Sequence, residues 1–389
     1  MWIGIVLTAV ILAVLIWYVV AQEDNELAKT AVSNQLIVKF KEGIAPERMN
    51  AIHRKYRCEV MEEQKALGYY VLSSKRSTRW MMSKYNKLDE VDYAEPNYKF
   101  QAFLTPNDTY FQAYQYGPQR ISAPSAWDVT TSSSNIRIAV IDSGVQLNHP
   151  DLSGKLLPGY DFVSRDGLPE DGNGHGTHVA GIAAAATNNA RGIAGIAPNA
   201  SILPVRVLDN SGSGSLATVA NGIIYAADQG AQVINLSLGS TSGALTLQNA
   251  INYAWNKGAV LVAAAGNDGV STPNFPAYYT NVIAVASTDE TDNKSPFSNY
   301  GSWVEVAAPG SAILSTYTGG YYAYLDGTSM ASPHVAGLAA LLAAQGWTNL
   351  QIRNVICNTS DPISGTGIYW RFGRVNAARA VSSPVNPQL

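Results

Sequence analysis

Cysteine is scarce: Cys58 and Cys357 are the two in 389 residues, so no disulfide framework carries this fold and both thiols are expected to be buried small hydrophobes. Charge is sparse as well. Only 14% of residues are Asp, Glu, Lys or Arg, against about a quarter in an ordinary globular chain. The Lys and Arg residues form no basic stripe, which excludes nucleic acid as a partner. Little charge with many Gly and Tyr residues suits an exported protein. The length allows two domains and a large core.

Three further absences remove competing chemistries. Gly212-Ser213-Gly214-Ser215-Leu216-Ala217 satisfies the G-x-G-x-x-A dinucleotide fingerprint between a strand and a helix. The next strand, Val233-Ile234-Asn235-Leu236-Ser237, lacks the acidic residue that would hold a ribose. Asp142-Ser143-Gly144 is the tripeptide of a paired-carboxylate site, but that chemistry needs a second such turn and none exists. His175 and His178 have the i,i+3 spacing of zinc ligands, yet no third ligand is evident.

What is present is concentrated in three stretches. Gly327-Thr328-Ser329-Met330-Ala331-Ser332-Pro333-His334 opens an apolar run, Val335 to Ala344, that predicts a helix buried on every face. Ser329 lies where unpaired N–H groups and the positive end of the helix dipole favour developing negative charge. Pro333 is expected in the first turn, where a missing N–H costs nothing. Apart from Arg137 near its start, Ile136 to Ile141 is an unbroken apolar run that ends on Asp142, which predicts a parallel strand covered on both faces with the carboxylate at its carboxyl end. Asp171-Gly172-Asn173-Gly174-His175-Gly176-Thr177-His178 sets a histidine between glycines ahead of a small-residue helix, Ala180 to Ala186.

Acid, histidine and serine in that order are the parts of an acyl-transfer triad. The three stretches resemble the signature blocks of the subtilisin-like serine proteases, the subtilases. The resemblance runs from about Thr105 to near Ala380 and is strongest to the thermitase-like branch. It implies Asp142, His175 and Ser329 as the triad and Asn267, in Gly266-Asn267-Asp268-Gly269, as the oxyanion-holding amide. Ser213 and Gly214 would form one edge of the substrate cleft and Ser237, Leu238 and Gly239 the other. A peptide would lie between them as an added strand. Ala264 and Gly266 would complete a pocket of small and apolar residues, which favours a large apolar side chain before the scissile bond. His149, His178 and His334 are expected to be structural.

The resemblance also implies calcium in a stabilising role. One set of ligands would be Asp108, Asp151, the Asn189 side chain and carbonyls of Ala186, Arg191 and Ile193. A second would be Asp161, Asp166, Glu170 and a carbonyl near Leu168. There the chain departs from the pattern, with Ser164 and Arg165 in a stretch where relatives carry another carboxylate.

Five segments are expected. Residues 1–21 are almost wholly apolar with no Lys or Arg ahead of the run, so a cleaved signal peptide and a retained membrane anchor both stay open. Residues 22–33 read as a linker. Residues 34–103 predict β-α-β-β-α-β, a ferredoxin-like unit that resembles the subtilase propeptide, with implied roles as folding assistant and intramolecular inhibitor. Residues 104–381 alternate strand and helix, an α/β pattern with a mainly parallel sheet, and 382–389 form a tail. From Lys39 to Lys99 there are thirteen basic and nine acidic residues, from Leu104 onward twelve and seventeen; the opposite signs favour encounter. A cut is expected between Lys99 and Thr105, which would separate Cys58 from Cys357. Protein and peptide substrates and a monomeric state complete the reading.

Overall fold

The computed structural model describes residue 27, residues 30–99 and residues 105–384. The apolar segment 1–21 and the linker residues 100–104 lie outside the described residues. Among the described residues no helix is long and apolar enough to cross a membrane. The chain divides into two compact units, Met1–Ala102 and Phe103–Leu389.

In the first unit the order is β1 (Ala31–Phe40), α1 (Pro46–Tyr56), β2 (Glu59–Gln64), β3 (Tyr69–Ser73), α2 (Thr78–Tyr85) and β4 (Val91–Tyr98). Pro46 opens α1 without loss because a first-turn N–H has no helical acceptor. Ser77 caps α2 by accepting the Trp80 N–H at 3.3 Å. The strands form an antiparallel sheet in the order β2-β3-β1-β4, as expected for a ferredoxin-like unit. Alternation on β1 turns Leu36, Val38 and Phe40 to one face, where they meet Ile52, Leu72, Met81 and Tyr85. Strand β2 is exposed almost throughout.

The second unit is built on an eight-stranded sheet. Its elements include β5 (Arg137–Asp142), β6 (Tyr160–Asp161), α3 (His175–Ala184), β7 (Ser201–Arg206), α4 (Leu216–Asp228), β8 (Val233–Leu236), α5 (Leu245–Asn256) and β9 (Val260–Ala264). There follow β10 (Val282–Thr288), β11 (Val306–Pro309), the hairpin β12 (Ile313–Tyr317) and β13 (Tyr321–Leu325), α6 (Thr328–Ala343), α7 (Asn349–Asn358), β14 (Gly373–Arg374) and α8 (Ala377–Val381). The sheet order is β14-β11-β10-β9-β8-β5-β7-β6, with every pairing parallel.

Strand β5 explains its own composition. Ile138 and Val140 enter one core, with Val179 of α3 and Leu338 of α6, while Ala139 and Ile141 enter the other, with Ile223 of α4 and Ile251 of α5. A strand covered on both faces cannot alternate with polar residues. The chain passes from β5 to β7 on one side and then to β8 on the other, and such a reversal opens a crevice at the carboxyl ends of the strands. Two helices begin earlier than expected. Helix α3 starts at His175 rather than Ala180 and α6 at Thr328, because Gly174 and Gly327, at φ 103° and 155°, turn the chain sharply just before them.

Candidate active site

Asp142 is the last residue of β5 and is fully buried. His175 is the first residue of α3, and its Nδ1 lies 2.7 Å from Asp142 Oδ1. A Cβ on Gly176 would stand 2.1 Å from the Gly144 carbonyl oxygen, so only glycine lets the helix start come this close to the strand end. Asp171 holds the intervening loop. It accepts the N–H groups of Asn173, Gly174 and Thr177 and the hydroxyls of Ser143 and Thr177. Burial alone would lower the His175 pKa, but the Asp142 charge and hydrogen bond outweigh it, with help from Asp171, and the net shift is upward. With Nδ1–H donated to Asp142, Nε2 is left as the basic nitrogen.

Ser329 is the second residue of α6. Its hydroxyl donates to the Ser237 carbonyl at 3.2 Å, so the histidine–serine leg of a triad is not formed in this resting arrangement. Such bonds often tighten only when substrate is bound. Pro333 is the sixth residue of α6, not a first-turn residue as expected. It therefore removes the N–H that would have bonded the Ser329 carbonyl, and the Ser237 hydroxyl replaces that donor at 2.8 Å. Ser237 Oγ accepts from Asn235 Nδ2 at 2.9 Å, and Asn235 Oδ1 accepts from Ser332 Oγ at 2.7 Å. This buried chain of bonds holds the start of α6 against β8.

Asn267 follows β9. Its Oδ1 accepts both the N–H and the hydroxyl of Thr328 at 2.9 Å, which leaves Nδ2 as a free-facing donor. A point beside Gly327, where a Cβ would be, lies 3.5 Å from Asn267 Nδ2 and 3.6 Å from Ser329 N. Two N–H donors thus converge next to the serine.

The adjoining cleft, about 750 Å³, is lined by His175, Ser213, Gly214, Ser237, Leu238 and Gly239, with Leu208, Val219, Leu247 and Phe275 adding apolar surface. Ala264 and Gly266 are not among its lining residues. Asn274, which the sequence reading missed, packs against both Gly239 and Gly266. A Cβ on Gly239 would be 2.7 Å from Asn274 Oδ1, and one on Gly266 2.4 Å from its Nδ2. That Oδ1 is buried without a hydrogen-bond partner.

Of the first expected calcium set, Asp108, Asp151 and Asn189 lie near one another, while Ile193 meets Asp151 through its N–H. Asp108 and Asp151 are buried, and burial pushes both carboxyls up, with the Asp108 charge also raising Asp151. Asn189 Nδ2 reaches Asp151 Oδ1 at 2.8 Å, and Ile193 N–H reaches Asp151 Oδ2 at 2.9 Å. Asn188 N–H lies 2.7 Å from Asp108 Oδ2. Two neighbouring buried carboxylates, both pushed up by burial, are hard oxygen donors of the kind calcium takes. The second set does not fit. Asp161 is already paired with Arg206 at 2.6 Å and accepts the Val163 and Ser164 N–H groups, so its charge is neutralised from within the protein. Asp166 accepts the Leu168 N–H and Glu170 the Leu147 N–H. Among the described residues no group of three or more His, Cys, Asp or Glu side chains could hold a metal.

The other histidines of the second unit face backbone. His178 Nε2 lies 3.0 Å from the carbonyls of Ile313 and Ala323, His334 Nδ1 2.8 Å from that of Met330, and His149 Nε2 3.1 Å from that of Tyr321.

Comparison with known proteins agrees with the fold. Residues 133–377 match the family model described as the subtilase family, and residues 20–97 match the fervidolysin N-terminal prodomain. The chain belongs to the subtilase family and carries an N-terminal prodomain. It is a serine endopeptidase. A thermophilic serine proteinase of Bacillus sp. (strain AK1) is 56% identical over 352 residues, 90% of this chain and 88% of the relative. Thermitase of Thermoactinomyces vulgaris is 66% identical over 277 residues, 71% of this chain and 99% of that protein. Among solved structures, a protease from Pseudoalteromonas arctica superposes with a TM-score of 0.67 at 36% identity, covering 72% of this chain and all of that one.

Proposed function

We propose that the protein is an exported, self-processing protease that cleaves peptide bonds by Asp142–His175–Ser329 acyl transfer. The observation that carries this reading is the 2.7 Å contact between His175 Nδ1 and Asp142 Oδ1, with His175 and Ser237 lining one cleft and Ser329 bonded to Ser237. Substrate entry releases the Ser329 hydroxyl from the Ser237 carbonyl. His175 Nε2 takes its proton as the oxygen attacks the scissile carbonyl, while Asp142 fixes the tautomer and stabilises the imidazolium. Asn267 Nδ2 and the Ser329 N–H hold the oxyanion. His175 then protonates the leaving amine, and water repeats the sequence on the acyl-enzyme.

An extended peptide lies between Ser213–Gly214 and Ser237–Gly239, held mainly through its backbone, so many sequences are accepted. The cleft lining holds no Asp or Glu to pair with Arg or Lys, and a large apolar residue is preferred before the cut bond. Residues 34–103 act as folding assistant and inhibitor until cut off, residues 1–21 direct export or anchor the precursor, and one calcium ion is held at Asp108, Asp151 and Asn189. When bound, the ion supplies positive charge that ties the start of the second unit to the 186–193 loop.

A fluorophosphonate probe is expected to label Ser329 stoichiometrically, and the Ser329→Ala precursor to accumulate uncut. A Ser329→Ala precursor that processes itself in pure form would overturn the reading.

A further inference from the structure

The loop that carries Asn267 has little structure of its own. It leaves β9 at Ala264, turns at Gly266 with φ 104°, and reaches solvent at Asn267 and Asp268. A side chain on so exposed a loop would be mobile unless something fixed the backbone on either side of it. Asn299, in the segment between β10 and β11, does so from beneath and is only 1% exposed.

Its carboxamide uses both ends. Nδ2 donates to the Ala265 carbonyl at 3.1 Å, two residues before Asn267. Oδ1 accepts the N–H of Asp268 at 3.0 Å and of Val270 at 3.2 Å, just after it. The Asn299 backbone N–H adds a bond to the Gly266 carbonyl at 2.9 Å. The bonded residues, 265, 266, 268 and 270, therefore bracket Asn267 on both sides. Approach is close enough that a Cβ on Gly266 would stand 2.4 Å from Asn299 Nδ2. Only an amide offers a donor and two acceptor lone pairs from one planar group; a carboxylate lacks the donor and a hydroxyl lacks the span.

We propose that Asn299 is a positioning residue for the oxyanion site: it aims Asn267 Nδ2 by fixing the backbone on both of its flanks. Thr328 orients the Asn267 amide from the other side, through Oδ1. Asn299 touches neither substrate nor reacting atoms. A donor aimed before reaction is worth more than one that must be organised as charge develops, so the loss should fall on kcat and leave KM nearly unchanged. The inference rests on the oxyanion role given to Asn267 above.

The test is a double-mutant cycle on enzyme matured from the full chain, with kcat, KM and melting temperature measured for Asn267→Ala, Asn299→Ala and the pair. Asn267→Ala alone is expected to lower kcat by about 10²–10³-fold. Asn299→Ala is expected to lower it about tenfold with KM within about twofold, and to lower it less than about twofold further once Asn267 is already alanine. The fall in melting temperature should be the same in both backgrounds. Asn299→Ser, smaller and neutral, repeats the cycle if the alanine variant does not fold. A tenfold loss that persists in the Asn267→Ala background, or a loss confined to KM, overturns the positioning role alone. Full kcat in Asn267→Ala would remove the oxyanion reading and this proposal with it.

Discussion

The two units solve the problem of burying a sheet in different ways. The first covers one face of four antiparallel strands with two helices, so its core is a single small cluster around Leu36, Leu72, Met81 and Tyr85. The second buries both faces of a parallel sheet in separate clusters. Their histidines differ in the same sense. His53 is buried among Phe40, Tyr70 and Tyr85, bonded to the Tyr85 hydroxyl at 2.9 Å with Nε2 unpartnered, and burial lowers its pKa to about 4. His175 is also shielded but faces Asp142, and its pKa moves up. The small unit can hold its histidine only as an uncharged core ring. The larger one has enough framework to keep a buried carboxylate beside an imidazole.

The sharpest way to test that separation is Ser329→Ala. Peptide hydrolysis should fall by about a million-fold, the order seen for the subtilisin triad, while hydrogen exchange in the first unit should be unchanged. Parallel loss of protection in both units would mean that the residue is structural. Leu72→Ala comes next. Deleting a fully buried Leu costs about 3–5 kcal/mol, a large part of what a unit this size can hold. Amides of β1, β3 and α2 should lose protection while those of β5, β8 and α6 keep theirs.

Acid should separate the units again. The folded His53 pKa of about 4 lies below its ordinary value of 6.5, so the unfolded chain binds the extra proton first. Stability is whole above 6.5 and declines as pH falls towards 4, by about 3 kcal/mol for the first unit. His53→Phe should flatten that decline without touching the second unit. His175 has the opposite sign: its folded pKa is raised, so it favours the folded state at low pH, a contribution lost as pH rises through the folded value. Catalysis needs the neutral ring, so kcat/KM should fall as pH drops through a value above 6.5. The smallest effect is that of chelation. Removing calcium should lower the stability of the second unit alone, by about 2.7 kcal/mol if the ion was present at a hundred times its Kd. Asp151→Asn should abolish that response and Asp161→Asn should not.

Much of the architecture was legible beforehand because it rests on periodicity. The run Ile136–Ile141 had to be a strand covered twice, and the β-α-β-β-α-β pattern needed only local hydrophobic spacing and turn residues. Helix starts were less legible. Glycine at 174 and 327 reads as a breaker, yet both residues cap helices that begin immediately after them. Pro333 suggested a helix beginning near it, because nothing local shows that Ser237, far away in sequence, supplies the missing donor. Arg206 is likewise distant from Asp161 in the chain, so nothing local argued against Asp161 as the calcium ligand that the resemblance implied.

The sequence by itself determined which segments become buried strands and helices and which blocks carry an acid, a histidine and a serine. Those features depend on side-chain type and spacing along the chain. Only the tertiary structure decided how polar groups are satisfied: Arg206 on Asp161, Ser237 on the Ser329 carbonyl, Asn299 on both flanks of Asn267. Most buried donors and acceptors find a partner, and which partner is near enough follows from how strands are ordered in space, a property that no local pattern encodes.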